Sequence, residues 1–361
     1  MKTLDYKIST WVRPEIRALA AYHVPDPGNL IKLDAMENPF GWPPEMVQAW
    51  LQSLLAAPLN RYPDPSARAV QDALREAMSI PSHYGILLGN GSDELIQMIL
   101  LALAQPGRTV LAPEPAFVMY RMISTFVGMN YVGVALRDDD FSLDMPAMRA
   151  AIAAHQPAVV FLAYPNNPTG NLFDAEQLRE LIQLSPGVVV VDEAYLPFAE
   201  ASMLDALAAF DNLLILRTVS KLGLAGLRLG LLIGAPAWLD EIDKVRLPYN
   251  INVLTQASAV FALQHMTVLD EQAARIRVER ERVYTALCAL PGLKVWPSRA
   301  NFILLRAPAG RADAIFAALK QSGVLIKNLH PAAGALRDCL RVTIGAPDEN
   351  DVLLAALRAA L

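Results

Sequence analysis

Two long apolar runs, "AVVFLAY" (158–164) and "GVVVVDEAY" (187–195), flank a helix-period segment, "DAEQLRELIQL" (174–184). A strand with one wet face alternates apolar and polar residues. These runs do not alternate, so both faces of each strand are covered, as in a parallel sheet sandwiched by helices. The same rhythm of helix and apolar strand extends from about Pro43 through "LLILRTVSK" (213–221) and "LRLGLLIG" (227–234). It predicts an α/β domain with a mostly parallel central sheet and helices on both faces.

The pattern changes at "INVLTQASAVFALQHM" (251–266), where long helices begin, followed after Gly292 by short strands and further helices. That succession predicts a smaller α+β domain. The expected division is an N-terminal arm at 1–36, irregular and lying over the small domain or a partner subunit, a large domain at 37–255 and a small domain at 256–361. The charged run at 275–282 reads as a solvated helix face with i,i+4 pairs and no functional role.

Composition narrows the partners. The 361 residues are 54% apolar and 19% charged with a net charge of -5, which suits a folded protein and disfavours nucleic acid. Cys288 and Cys339 form no paired motif, and charges interrupt the N-terminus before an apolar run can form. A reducing cytoplasm is therefore expected. The greasiest stretch, "LIQMILLALA" (95–104), is far shorter than the roughly 20 residues needed to cross a bilayer, so no membrane span is expected. No metal is expected either.

Ligands of open parallel sheets gather beyond the carboxyl ends of the strands. The residues at those ends are "GNGSDE" (89–94), "PEPAF" (113–117), "YPNNPTG" (164–170), "DEAY" (192–195) and "TVSK" (218–221), with Arg228 just beyond. Each has a plain structural reading. "GNGSDE" is either an ordinary capped turn or a phosphate cup at a helix start. Asp192 either caps the next element or meets a cationic or N–H partner in the interior. "NNPTG" is turn chemistry unless something polar faces Asn167. Lys221 either snorkels to solvent or sits desolvated, its pKa lowered, ready to bond a carbonyl.

One ligand uses them together. A pyridine aldehyde phosphate needs a lysine for its aldehyde, an acid for its ring nitrogen, donors for its phenolic oxygen, an aromatic over its ring and a phosphate cup. Lys221, Asp192, Asn167 with Tyr195, Phe117, and the group Ser92, Asp93, Ser220 and Arg228 supply those parts in turn.

The ordered set "NNPTG", "DEAY", "SK" and a downstream arginine resembles the fold type I pyridoxal-phosphate aminotransferases over nearly the whole chain. "LNRYPDP", "GNGSDELI", "SKLGLAGLRLG" and "SRANFIL" are similar to their histidinol-phosphate branch. The resemblance implies pyridoxal 5'-phosphate, Lys221 as its Schiff-base lysine, and Asp192 and Tyr195 as further catalytic groups. It also implies that Tyr62 reaches the cofactor phosphate of a partner subunit, hence a homodimer with shared sites. Arg341 in "CLRVTIG" would grip the carboxylate of the amino donor, while Tyr22 and Asn301 would line the substrate pocket. Lys327 stands where many relatives place an arginine for the substrate phosphate, and the loop between Lys221 and Arg228 is shorter than in some of them.

The implied activity is transamination between histidinol phosphate and 2-oxoglutarate, giving imidazole acetol phosphate and glutamate, a step of histidine biosynthesis. The alternatives are an aromatic or broad-range aminotransferase, a threonine-phosphate decarboxylase on the same fold, or a cofactor-binding regulatory module. The last should carry an N-terminal helix-turn-helix and a basic segment, which the first residues do not resemble.

Overall fold

The apolar runs form the centre of a seven-stranded sheet in the computed structural model, which describes residues 3–21 and 24–361. The strands are β1 (Ile31–Leu33), β2 (Gly85–Gly89), β3 (Thr109–Glu114), β4 (Asn130–Ala135), β5 (Val159–Ala163), β6 (Val188–Asp192), β7 (Leu213–Thr218), β8 (Gly230–Gly234), β9 (Lys294–Val295), β10 (Phe302–Arg306), β11 (Val324–Asn328) and β12 (Cys339–Thr343). The large sheet has the order β2-β8-β7-β6-β5-β3-β4, in which only β8 runs antiparallel to its neighbours.

Every residue of β5, β6, β7 and β8 is buried, and alternate residues enter different cores. Val160 and Leu162 join one apolar cluster, whereas Val159, Phe161 and Ala163 join the other. Two covered faces explain the unbroken apolar sequence. The register places Ala163 beside Asp192, and Asp192 beside Leu216. The chain segments leaving β5, β6 and β7 therefore emerge along one edge.

A five-stranded sheet of order β1-β11-β12-β10-β9 forms the second layer system, with its own core around Phe302, Ile326 and Val342. Its edge strand β1 comes from the N-terminal segment and pairs parallel with β11. The segment before β1 is more regular than expected. Leu4–Trp11 is a helix whose first turn is capped by Thr3, and Pro14–Arg17 forms a second short helix. Helix Val253–Leu263 runs through position 255 and buries Ala259, Ala262 and Leu263 in the larger core.

The charged run is not simply a solvated face. Arg280, on helix Met266–Cys288, is buried and donates to the carbonyls of Phe198 and Ala300 at 3.1 and 3.2 Å. It joins the segment after β6 to the segment before β10, while Arg282 makes the exposed pairs to Glu279 and Asp351. A guanidinium that satisfies buried carbonyls looks the same in sequence as one in water.

Candidate active site

A cavity of about 400 Å³ opens over the carboxyl ends of the central strands. It is lined by Ser92, Asp93, Phe117, Asn167, Asp192, Tyr195, Ser220, Lys221 and Arg228, residues drawn from all five strand-end motifs.

Strand β6 delivers Asp192 to the cavity floor, where the carboxyl is buried. Its Oδ2 accepts from the Tyr120 hydroxyl at 2.6 Å and its Oδ1 from the Ala194 N–H at 3.0 Å. Burial pushes its pKa up from 3.8 to about 6, while these two hydrogen bonds pull the other way. Tyr120 is a functional neighbour absent from the strand-end motifs. It lies one helical turn beyond Phe117 on helix Val118–Val127, is fully buried, and stacks on Phe161 at 4.5 Å between ring centroids. The spacing Phe117 to Tyr120 is the sequence signal for it, since residues three apart share a helix face.

Lys221 follows β7 in a short 3₁₀ turn, Ser220–Leu222. Its Nζ donates to the Ala35 carbonyl at 3.4 Å and lies 5.8 Å from the Tyr195 ring centre. Burial, then the positive charge of Arg341, lowers its pKa from 10.5 to about 8. Asn167 donates from Nδ2 to the Tyr195 hydroxyl at 3.1 Å. Its Oδ1 accepts from Arg341 Nη1 at 2.5 Å. Arg341 therefore joins the cluster from the small sheet, with a further bond from Nη2 to the Asp34 carbonyl at 3.0 Å.

The other end of the cavity is shaped for an anion. Helix Ser92–Leu103 begins there, so its first N–H groups and the positive end of its dipole face the same space. A Cβ on Gly91 would lie 2.6 Å from Arg228 Nη2, and one on Gly230 would lie 2.7 Å from the backbone of Gly91 and Ser92. The glycines thus let the loop and Arg228 close onto one another. Arg228 Nη1 also reaches Ser220 Oγ at 3.5 Å, and Thr218 Oγ1 donates to the same oxygen at 2.9 Å. Ala225 and Gly226 line the cavity, so the short loop between Lys221 and Arg228 keeps both cations on it. This donor set, with an acid, a lysine and an aromatic nearby, fits a phosphorylated pyridine aldehyde.

The remaining expected residues lie elsewhere. Lys327 stands directly opposite Arg341 in the β11–β12 register, so both side chains leave the same face of the small sheet. Asn301 is fully buried and donates at 3.0 Å to the carbonyl of Met36, which lines the cavity, without lining it itself. Tyr62 is 80% exposed and stacks on Tyr249 at 4.4 Å. Tyr22 lies outside the described residues. Among the described residues no helix is long and apolar enough to cross a membrane, and no His, Cys, Asp and Glu cluster could hold a metal.

Comparison with known proteins places these features in context. The family model for aminotransferase class I and II matches residues 28–357. The chain is 58% identical to histidinol-phosphate aminotransferase 2 of Nitrosococcus oceani over 353 residues, covering 98% of each chain. It is 53% identical to the histidinol-phosphate aminotransferase of Chromobacterium violaceum, covering 96% of this chain and 97% of that one. Its structure is similar to that of histidinol-phosphate aminotransferase from Sinorhizobium meliloti in complex with pyridoxal-5'-phosphate. There the TM-score is 0.86, the identity 26% and the coverage 97% of both chains.

Proposed function

This chain belongs to the aminotransferase class I and II family, and from that footing we propose that it transfers the amino group of L-histidinol phosphate to 2-oxoglutarate. The products are imidazole acetol phosphate and L-glutamate, the cofactor is pyridoxal 5'-phosphate, and the architecture is that of fold type I. The carrying observation is the single cavity shared by Lys221, Asp192, Asn167, Tyr195, Phe117 and Arg228. The names of full-length relatives at 53% and 58% identity support the substrate.

When bound, the cofactor supplies an aldehyde for amine exchange and a ring that takes up the electron pair released at the substrate α-carbon. The protein positions and moves protons around it. Lys221 Nζ would be the covalent anchor for the aldehyde and, when free, the base that moves the substrate α-proton; its lowered pKa keeps a usable neutral fraction near pH 8. Asp192 is ionised above about pH 6, and its charge would keep a proton on the ring nitrogen. Asn167 and Tyr195 would hold the phenolic oxygen and Phe117 would pack on the ring. Ser92 and Asp93 through backbone N–H groups, with Ser220 and Arg228, would hold the phosphate.

Arg341 clamps the carboxylate of glutamate or 2-oxoglutarate. Lys327, opposite Arg341 in the β11–β12 register and on the same face, is the candidate contact for the donor's phosphate. The test is a half-reaction screen of the holoenzyme, following its visible band. Histidinol phosphate should convert the band about tenfold or more efficiently than histidinol, and Lys327→Ala should narrow that gap, consistent with loss of a charged contact. Equal rates for both donors, or carbon dioxide released from threonine phosphate, would overturn the assignment.

The enzyme works as a cytoplasmic homodimer with shared sites. Leu55, Leu59, Tyr62 and Leu247 are all exposed, and Arg246 donates to the Pro65 carbonyl at 3.0 Å, so segments 55–65 and 246–249 meet. Such an apolar surface is suited to a second copy, which would carry Tyr62 to the partner's cofactor phosphate. Sedimentation should give a dimer. A fully active monomer would remove both the dimer and the role of Tyr62. Cys288 and Cys339 are free thiols, in keeping with a reducing compartment.

A further inference from the structure

The segment that links β1 to the large domain offers three consecutive backbone carbonyls to three site side chains. Asp34 O accepts from Arg341 Nη2 at 3.0 Å, Ala35 O from Lys221 Nζ at 3.4 Å, and Met36 O from Asn301 Nδ2 at 3.0 Å. Arg341 and Asn301 belong to the small-sheet portion of the chain, whereas Lys221 follows a strand of the large sheet. In an extended strand successive carbonyls point to opposite edges, so three in a row do not ordinarily serve one neighbourhood. The strand geometry is broken here. Met36 has φ +53°, in the left-handed region that a non-glycine residue adopts only at a cost.

That conformation is fixed from both sides. The Met36 N–H donates to Thr343 Oγ1 at 3.0 Å, and Asn38 donates to Gln272 Oε1 at 2.9 Å and to the Leu222 carbonyl at 3.4 Å. A residue held in a sparsely populated backbone region and over-determined by its neighbours beside a cavity is where strain serves function. Ala35, Met36 and Glu37 all line that cavity.

Building on the aminotransferase reading above, we infer that Met36 is a positioning residue. Its left-handed backbone sets the carbonyls of residues 35 and 36 relative to that of residue 34, so that Arg341, and Lys221 whenever it is free of the aldehyde, rest at their stations. The thioether itself is secondary. The carbonyls hold both cations by weak, replaceable bonds: a substrate carboxylate takes over Arg341, and Lys221 leaves Ala35 when it bonds the aldehyde or moves a proton. Asn301 belongs to the same device, since its amide anchors the last of the three carbonyls.

A role carried by the backbone inverts the usual ranking of substitutions. Glycine and asparagine tolerate positive φ, whereas valine and isoleucine resist it. Met36→Gly and Met36→Asn should stay within about threefold of the parent holoenzyme in kcat and in succinate affinity, with succinate as a non-reacting dicarboxylate probe for Arg341. Met36→Val and Met36→Ile should lose about tenfold in both, and their cofactor-free forms should capture added cofactor more slowly because Lys221 has lost its resting carbonyl. If the side chain mattered through its packing on the small core instead, glycine would be the most damaging and isoleucine the mildest; that order overturns the inference. Should the branched variants fail to fold, the glycine and asparagine proteins decide alone: a loss of about tenfold in succinate affinity, or in the rate of cofactor capture, in both refutes it. Neither reading involves the amino donor, so a wrong donor assignment would leave both intact.

Discussion

Lys221→Ala is expected to lower turnover by about 10⁴-fold or more, because in the proposed mechanism one side chain supplies both the covalent anchor and the general base. A positioned base alone contributes on the order of 10²–10⁴-fold. The loss should persist at saturating donor, since the missing step is proton transfer and not binding. Steady-state kcat measured beside the visible spectrum checks this: the cofactor should still bind through Arg228, Ser220 and the start of helix Ser92–Leu103, but without the spectral form of the lysine-bound cofactor. Full turnover by the alanine protein would refute the mechanism. In the parent, capture of added cofactor should accelerate as pH rises through about 8, where Lys221 becomes neutral and nucleophilic.

Asp192→Asn is the second large loss, about 10³-fold in kcat, by analogy with the removal of one preorganised electrostatic partner. The amide can accept from the Ala194 N–H and donate to the Tyr120 hydroxyl, but it carries no charge to hold a proton on the ring nitrogen. Stability should move the other way at neutral pH. The folded-state pKa of Asp192 lies above the ordinary carboxylate value, 3.8 against about 6, so ionising it in the interior costs the fold. That cost grows as pH rises between those values and is fully in force above about pH 6. Removing the charge should leave the cofactor-free protein at least as heat-stable at pH 8, so a dead but stable Asp192→Asn protein is the expected result. An equally active one would sink the assignment. Tyr120→Phe is the milder version: it strips one hydrogen bond from a buried carboxylate, worth about 1–3 kcal/mol, and should lower kcat about tenfold.

These expectations rest on residues of unequal visibility in the sequence. Asp192 was legible because an unbroken apolar strand is an interior one and the first polar residue that follows stands at the sheet edge; Lys221, which comes after Arg217, Thr218 and Ser220, was marked by its place beyond β7 and by the resembling "SK" motif. Tyr120 was marked only by its one-turn spacing from Phe117, a signal shared with ordinary core aromatics. Nothing in "LDAMENP" announced that three of its carbonyls would face Arg341, Lys221 and Asn301, because main-chain groups carry no residue-specific signature.

Arg280 and helix Val253–Leu263 show the same limit for packing. Periodicity states which face of a helix is apolar but not which core it joins, and a charge in a basic and acidic run can be solvated like Arg282 or enclosed like Arg280. Tyr62 is legible as an aromatic in a resembling motif, yet within one chain it stacks on Tyr249 at the surface.

By itself, then, the sequence determined the alternation of covered strands and helices, and with it the line of strand ends that carries the lysine, the acid, the amide and the glycine turn. Those features follow from local periodicity and from the rule that ligands sit at carboxyl ends. Only the tertiary structure decided that Arg341 crosses from the small sheet to Asn167, that Tyr120 holds the acid, and that Met36 bends its backbone beneath two cations. Each of these joins segments far apart in the chain, and a contact of that kind is set by how whole layers pack, which no short window of residues encodes.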